Sequence, residues 1–125
     1  MKATILVIED NENNMYLTTF LLEKFGYSVV PARDGLTGIS LARTIKPDLI
    51  LLDIQLPGMD GYMIARELTQ NEELFQIPIV AVTSYAMTGD RERALESGCA
   101  GYIEKPINPS TFVTQIEQYL RPQKS

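Results

Sequence analysis

The sequence predicts an α/β protein built on a five-stranded parallel sheet in the order 2-1-3-4-5, doubly wound by five helices. Three observations carry this. An apolar strand followed by an amphipathic helix recurs five times, with strands starting near Ala3, Ser28, Leu49, Pro78 and Ala100; about 20–30 residues per repeat suits βα units. The runs Thr4–Ile8, Leu49–Leu52 and Ile79–Val82 are the most apolar, as expected of central strands buried on both faces. The other two strands carry marks of edges: Pro31, which cannot donate to a ladder, and Gly101, which weakens a strand. In such sheets a ligand crevice opens beyond the carboxyl ends of the strands, where the strand order reverses. That point lies between strands 1 and 3.

Each element has its own local signals. Strand 1 is followed by a helix from about Asn13 to Phe25, stopped by Gly26. Strand 2 spans Tyr27 to Pro31. Helix 2 takes Asp34 as N-cap, is limited by Pro47, and is expected to bury Leu36, Ile39 and Ala42. Strand 3 ends at Asp53, and helix 3 follows Asp60 with Ile64, Ala65 and Leu68 on its inner face. Helix 4 is expected from Thr88 to just before Gly98, with only Ala94 and Leu95 for the core. Strand 5 runs from Ala100 to Ile103. Helix 5 takes Asn108 as N-cap and Pro109 as its first residue, and Phe112, Ile116, Tyr119 and Leu120 fall on one face.

Bulk properties narrow the function. A chain of 125 residues fits one domain. A net charge of −5 opposes nucleic-acid binding, which needs a basic face. No apolar stretch approaches the ~20 residues of a membrane span, and no signal peptide is visible. The lone Cys99 excludes an internal disulfide and reads as a small buried apolar residue. These features together read as cytoplasmic. The chain contains no histidine, so any histidine chemistry must come from a partner.

The predicted crevice collects polar groups at four strand ends. Glu9 and Asp10 follow strand 1, Asp53 ends strand 3, Thr83 and Ser84 end strand 4, and Glu104-Lys105-Pro106 follow strand 5. Asp53 is the strongest signal, because a carboxylate after Leu49-Ile50-Leu51-Leu52 is costly to bury without a partner. Clustered carboxylates repel, and a divalent cation relieves that repulsion. An oxygen-only ligand set selects a hard ion, Mg²⁺ or Mn²⁺. An aspartate can also act as a nucleophile toward phosphorus, with Lys105 and Thr83 available to neutralise and hold phosphoryl oxygens. Taken singly, these residues have ordinary readings as caps, turns or solvated charges. Gly58 and Gly61, for example, read as turn formers. Their conjunction at one sheet edge carries the argument.

With those residues in this order, the chain resembles the receiver domain of two-component response regulators, a flavodoxin-like fold. The likeness covers essentially the whole chain and is strongest to single-domain regulators of bacterial cell division and cell cycle. Matching stretches are Val7-Ile8-Glu9-Asp10-Asn11 with Asn14-Met15, Lys46-Pro47-Asp48-Leu49-Ile50-Leu51, and Ile77 to Thr83. The resemblance implies that Asp53 accepts phosphate from a sensor histidine kinase or a histidine phosphotransfer protein. It implies Mg²⁺ (or Mn²⁺) held by Asp10, Asp53 and the backbone carbonyl of Gln55, with Glu9 acting largely through water. Lys105 would pair with the phosphate, Thr83 and Tyr102 would form the switch, and the Lys105–Pro106 bond would be cis. Asn14, Met15, Tyr85, Met87 and Pro106 would lie on partner surfaces. Glu9 stands where many members of the family carry Asp.

No output module follows the fifth helix in this sequence, so the expectation is a stand-alone receiver. Such a protein signals to an effector through the face from helix 4 to helix 5, and it assists its own phosphorylation and dephosphorylation without being an enzyme. Two other readings remain: a Mg²⁺-dependent phosphatase using Asp53 transiently, and a scaffold that takes no phosphate. Gln55 disfavours the first, because an acid two residues after the nucleophile is missing. The intact acids, Thr83 and Lys105 disfavour the second.

Overall fold

The computed structural model describes residues 3–56, 58, 60–84 and 89–120. Five strands, β1 (Thr4–Ile8), β2 (Ser28–Ala32), β3 (Leu49–Asp53), β4 (Ile79–Thr83) and β5 (Gly101–Glu104), alternate with five helices. These are α1 (Glu12–Lys24), α2 (Gly35–Ile45), α3 (Gly61–Gln70), α4 (Asp90–Glu96) and α5 (Phe112–Glu117). The sheet order is β2-β1-β3-β4-β5, with every pairing parallel. The order expected from Pro31 and Gly101 is therefore the observed one, with both residues on edge strands.

Alternation along the strands divides the core in two. Leu6, Ile8, Ile50, Leu52, Ile79 and Ala81 face α2, α3 and α4, packing with Ile39, Ile64, Leu68 and Ala94. Ile5, Val7, Leu49, Leu51, Val80 and Val82 face α1 and α5, packing with Leu21, Leu22, Phe112 and Ile116. All five residues of β3 are buried, including Asp53. Period-two alternation with both sides covered is what a central parallel strand requires.

The helices start where short polar side chains accept orphan amides. Asn11 accepts from the Asn14 N–H, Asp34 from the Thr37 N–H, and Asp60 from the Tyr62 N–H. Gly61 opens α3 for a different reason than turn formation. A Cβ there would stand 2.5 Å from the Ile54 Cα, so only glycine lets the helix begin against the turn that follows Asp53.

Several expected details differ. Leu36 is exposed, and α2 instead presents Gly35, Gly38, Ile39 and Ala42 to the core. Leu95 is likewise exposed, leaving Ala94 as the inward residue of α4. The described part of α4 begins at Asp90, and Thr88 lies outside the described residues. The last helix begins at Phe112, not beside Pro109, because Asn108 caps a preceding turn through the Ser110 N–H. Its inner face gains Val113, while Tyr119 and Leu120 are only half-buried.

One tie joins the start of the β2 edge to the last helix. The Tyr27 hydroxyl donates to Glu117 Oε2 across 90 residues of sequence. Burial first, and then the Glu117 carboxylate, push the Tyr27 phenol up to about 12. A folded-state value raised above the ordinary 10.0 means stability that is whole below pH 10 and lost as pH climbs through 12. Tyr27→Phe should cost about 1 kcal/mol near neutrality in urea unfolding, and its deficit against the wild type should shrink between those two pH values. Gly61→Ala should cost more, about 1–3 kcal/mol by the same measurement, because backbone is what its methyl meets.

Candidate functional site

The sheet register gathers the site. The Glu9 N–H continues the ladder onto the Ala32 carbonyl at 2.9 Å, which holds Glu9 at the tip of β1. The Ile54 N–H donates to the Val82 carbonyl at 3.1 Å and fixes the end of β3 against β4. The Lys105 N–H donates to the Thr83 carbonyl at 2.7 Å, and the peptide that follows, Lys105–Pro106, is cis. Backbone hydrogen bonds thus set Glu9, Asp53, Thr83 and Lys105 on adjacent strand ends before any side chain is considered.

The side chains then converge. Lys105 Nζ lies 3.4 Å from Glu9 Oε1 and 3.3 Å from Asp53 Oδ2, and all three side chains are largely shielded from solvent. Carboxylate oxygens of Glu9, Asp10 and Asp53 lie within 4.8 Å of one another. Glu9 and Asp53 are buried and Asp10 is exposed. One ammonium does not balance three carboxylates at this spacing. The carboxyl of Glu9 responds by rising from 4.5 to about 7, through burial first and then through its hydrogen bond and charge interaction with Asp53. The cluster is short of positive charge, and its all-oxygen donor set suits a hard divalent cation. The residues present therefore fit the expected ion.

Thr83 is buried at the end of β4, and Tyr102 is half-buried in β5, packed against the core face that holds α4. Gln55 stands in the turn after Asp53, with its N–H donating to Asp53 Oδ1 at 2.9 Å. Pro106 is exposed and Asn14 half-buried. Met15 does not reach a partner surface: it is 5% exposed and packs in the core face shared by α1 and α5. The α1 periodicity turns it inward and leaves Tyr16 and Phe20 outside, stacked with ring centroids 6.3 Å apart. Tyr85 and Met87 lie outside the described residues.

Two side-chain ties escaped the sequence reading. Gln55 Oε1 accepts the Ser84 N–H at 2.8 Å. Arg93 of α4 places its guanidinium 4.3 Å over the Tyr62 ring and 3.4 Å from Asp60 Oδ2 at the start of α3. Both join segments about 30 residues apart, and a contact between two loops or two helix ends leaves no periodic trace in a sequence.

Comparison with known proteins agrees with this geometry. Residues 5–117 match the response regulator receiver domain family. The polar-differentiation response regulator DivK of Brucella anthropi is 45% identical over 120 residues, covering 96% of this chain and 98% of the relative. Chemotaxis protein CheY4 of Vibrio cholerae superposes with a TM-score of 0.91 over 96% of this chain and all of that one; at 23% identity this speaks for the fold. The receiver domain of the sensor histidine kinase PA1611 from Pseudomonas aeruginosa is 33% identical with a TM-score of 0.86, over 95% of this chain and 98% of that one. That structure holds a magnesium ion coordinated in its active site cleft. With the sheet order, the acid cluster and the lysine all in register, the chain belongs to the response regulator receiver domain family.

Proposed function

We propose that the chain is a phosphoacceptor in a two-component relay, with Asp53 as the residue phosphorylated. The observation that carries this is the placement of Asp53. It is a buried carboxylate at the tip of a central strand, 3.3 Å from a shielded lysine and within a three-acid cluster. In the transfer, a carboxylate oxygen of Asp53 attacks phosphorus and forms an O–P bond. The N–P bond of a phosphohistidine breaks, and the imidazole leaves with the electron pair. The chain has no histidine, so a phosphohistidine would come from a partner, a histidine kinase or a histidine phosphotransfer protein, unless a small phosphodonor takes its place.

Each residue has a share in this. Asp10, Asp53 and the Gln55 carbonyl would hold Mg²⁺ (or Mn²⁺) with Glu9 nearby, and the ion would supply the positive charge that the cluster lacks. Lys105, 3.4 Å from Glu9 and 3.3 Å from Asp53, would neutralise a phosphoryl oxygen. Thr83 ends the neighbouring strand and would turn its hydroxyl toward the phosphoryl group, with Tyr102 moving inward behind it.

The output would leave through α4, β5 and α5. Of the described α4 side chains Ala94 is the one packed in the core, so α4 can shift at small packing cost. Phosphorylation of a hydroxyl side chain adds about −1.5 to −2 charges, and a comparable change at Asp53 is large beside one lysine. The donor would dock near Asn14, in the first turn of α1, and Pro106, which follows Lys105, and the stacked Tyr16 and Phe20 on α1 would supply the apolar contact in place of Met15. The effector is a protein bound on the switch face, and no direct nucleic-acid contact is expected from a chain of net charge −5. Among the described residues, no helix is long and apolar enough to cross a membrane.

Incubation with acetyl phosphate and Mg²⁺ followed by intact-mass measurement tests this reading. The wild type should gain one stable phosphoryl group, and both Asp53→Asn and chelation of the metal should abolish the gain. Repeated turnover would point to a hydrolase, and no gain to a scaffold. Lys105→Ala should slow the gain by roughly 100-fold, the usual scale for losing one charge-stabilising donor. Thr83→Ala should still accept phosphate yet bind its effector equally well in both states, as read by calorimetry.

A further inference from the structure

Gln55 touches both sides of the crevice. Its N–H donates to Asp53 Oδ1 at 2.9 Å, and its side-chain carbonyl accepts the Ser84 N–H at 2.8 Å. The second bond joins the turn after β3 to the first residue beyond β4. In the sheet register Asp53 stands opposite Val82, so Ser84 lies two residues farther out, about 6.6 Å along the strand direction. Ser84 directly follows Thr83, the residue at which a phosphate-driven change would enter β4. A tie on that amide restrains the start of the β4–α4 connection. The Gln55 side chain is half-buried and Ser84 exposed, so the bond is not needed to satisfy a buried group. Its value lies in where it holds the chain.

Resting on the reading of Asp53 as phosphoacceptor, we propose that Gln55 is a positioning residue: its side-chain carbonyl holds the Ser84 amide in the unphosphorylated protein, and phosphate on Asp53 releases it. Two changes drive the release. Conversion of the Asp53 carboxylate to an acyl phosphate removes anionic character from the group that accepts the Gln55 N–H. The phosphoryl oxygens bring into the same crevice anionic acceptors that compete with a neutral amide carbonyl for the Ser84 N–H, and charge-assisted hydrogen bonds are roughly twice as strong. The tie therefore favours the resting arrangement and gives way when charge arrives.

The test uses the whole chain and two variants. Gln55→Met keeps the bulk and the backbone carbonyl but removes the acceptor, and Gln55→Glu keeps an acceptor. In the free protein, amide hydrogen exchange at Ser84 should rise about fivefold or more in Gln55→Met, the effect of losing one ordinary hydrogen bond. It should stay near the wild-type rate in Gln55→Glu. After loading with Mg²⁺ and beryllofluoride, a phosphoryl mimic, the Ser84 amide shifts of wild type and Gln55→Met should converge. Equal exchange in the free wild type and Gln55→Met would overturn the tie. A shift difference that persists after loading would overturn the release. Failure of the wild type to bind beryllofluoride at Asp53 would instead sink the phosphoacceptor reading, while the free-protein exchange would still judge the tie by itself.

Discussion

A single ammonium, Lys105 Nζ, stands against three carboxylates at the tip of the sheet, and most of the architecture serves to keep it there. Its own N–H is pinned to the Thr83 carbonyl, so β5 delivers it in register with β4. Glu9 and Asp53 reach it from β1 and β3, the strands between which the sheet order reverses. The imbalance between one positive charge and three negative ones is the site's chemical property. It adds to burial in raising the Glu9 carboxyl, suits the crevice to a hard cation, and leaves Asp53 beside a positive group. The helices matter to this mainly by burying the strands on both faces, which excludes water from two of the three acids.

The connections around the site are built to different stiffness. The turn after β3 is clamped by glycine at position 61, which allows α3 to abut Ile54, and by the Gln55 N–H on Asp53. The α4 side is held by polar and aromatic contacts, Arg93 over Tyr62 and beside Asp60, with little apolar packing. Exposed ion pairs contribute little on their own, so this side can move at a cost that a change in charge at Asp53 could meet. A firmly held sheet edge beside a lightly packed α4 is the arrangement that the proposed phosphate-driven switch would use.

The fold and the main site were legible because both follow from short-range rules. Pro31 and Gly101 marked the edges, the apolar runs marked the centre, and topology then brought Glu9, Asp10, Asp53, Thr83 and Lys105 to one edge. What failed were statements about faces of short helices. Met15, Leu36 and Leu95 are each an apolar residue near a helix end or in a short helix, where a shift of one position exchanges inside for outside. Asn108-Pro109 carried a sound capping signal, but the cap belongs to a turn that precedes α5. The side-chain ties of Gln55 and Arg93 were invisible because they depend on loop proximity, which no local pattern encodes.

The two-sided burial of β3 has a consequence for how this gene can vary. Successive residues from Leu49 to Leu52 belong to opposite halves of the core. Inserting or deleting one residue inside the strand would exchange those halves and carry the terminal carboxylate away from Lys105 in the same step. Changes of length are tolerable in the outer loops and fatal here. The central strands would therefore accept substitution alone, and lengthening or shortening would be left to the connections around them.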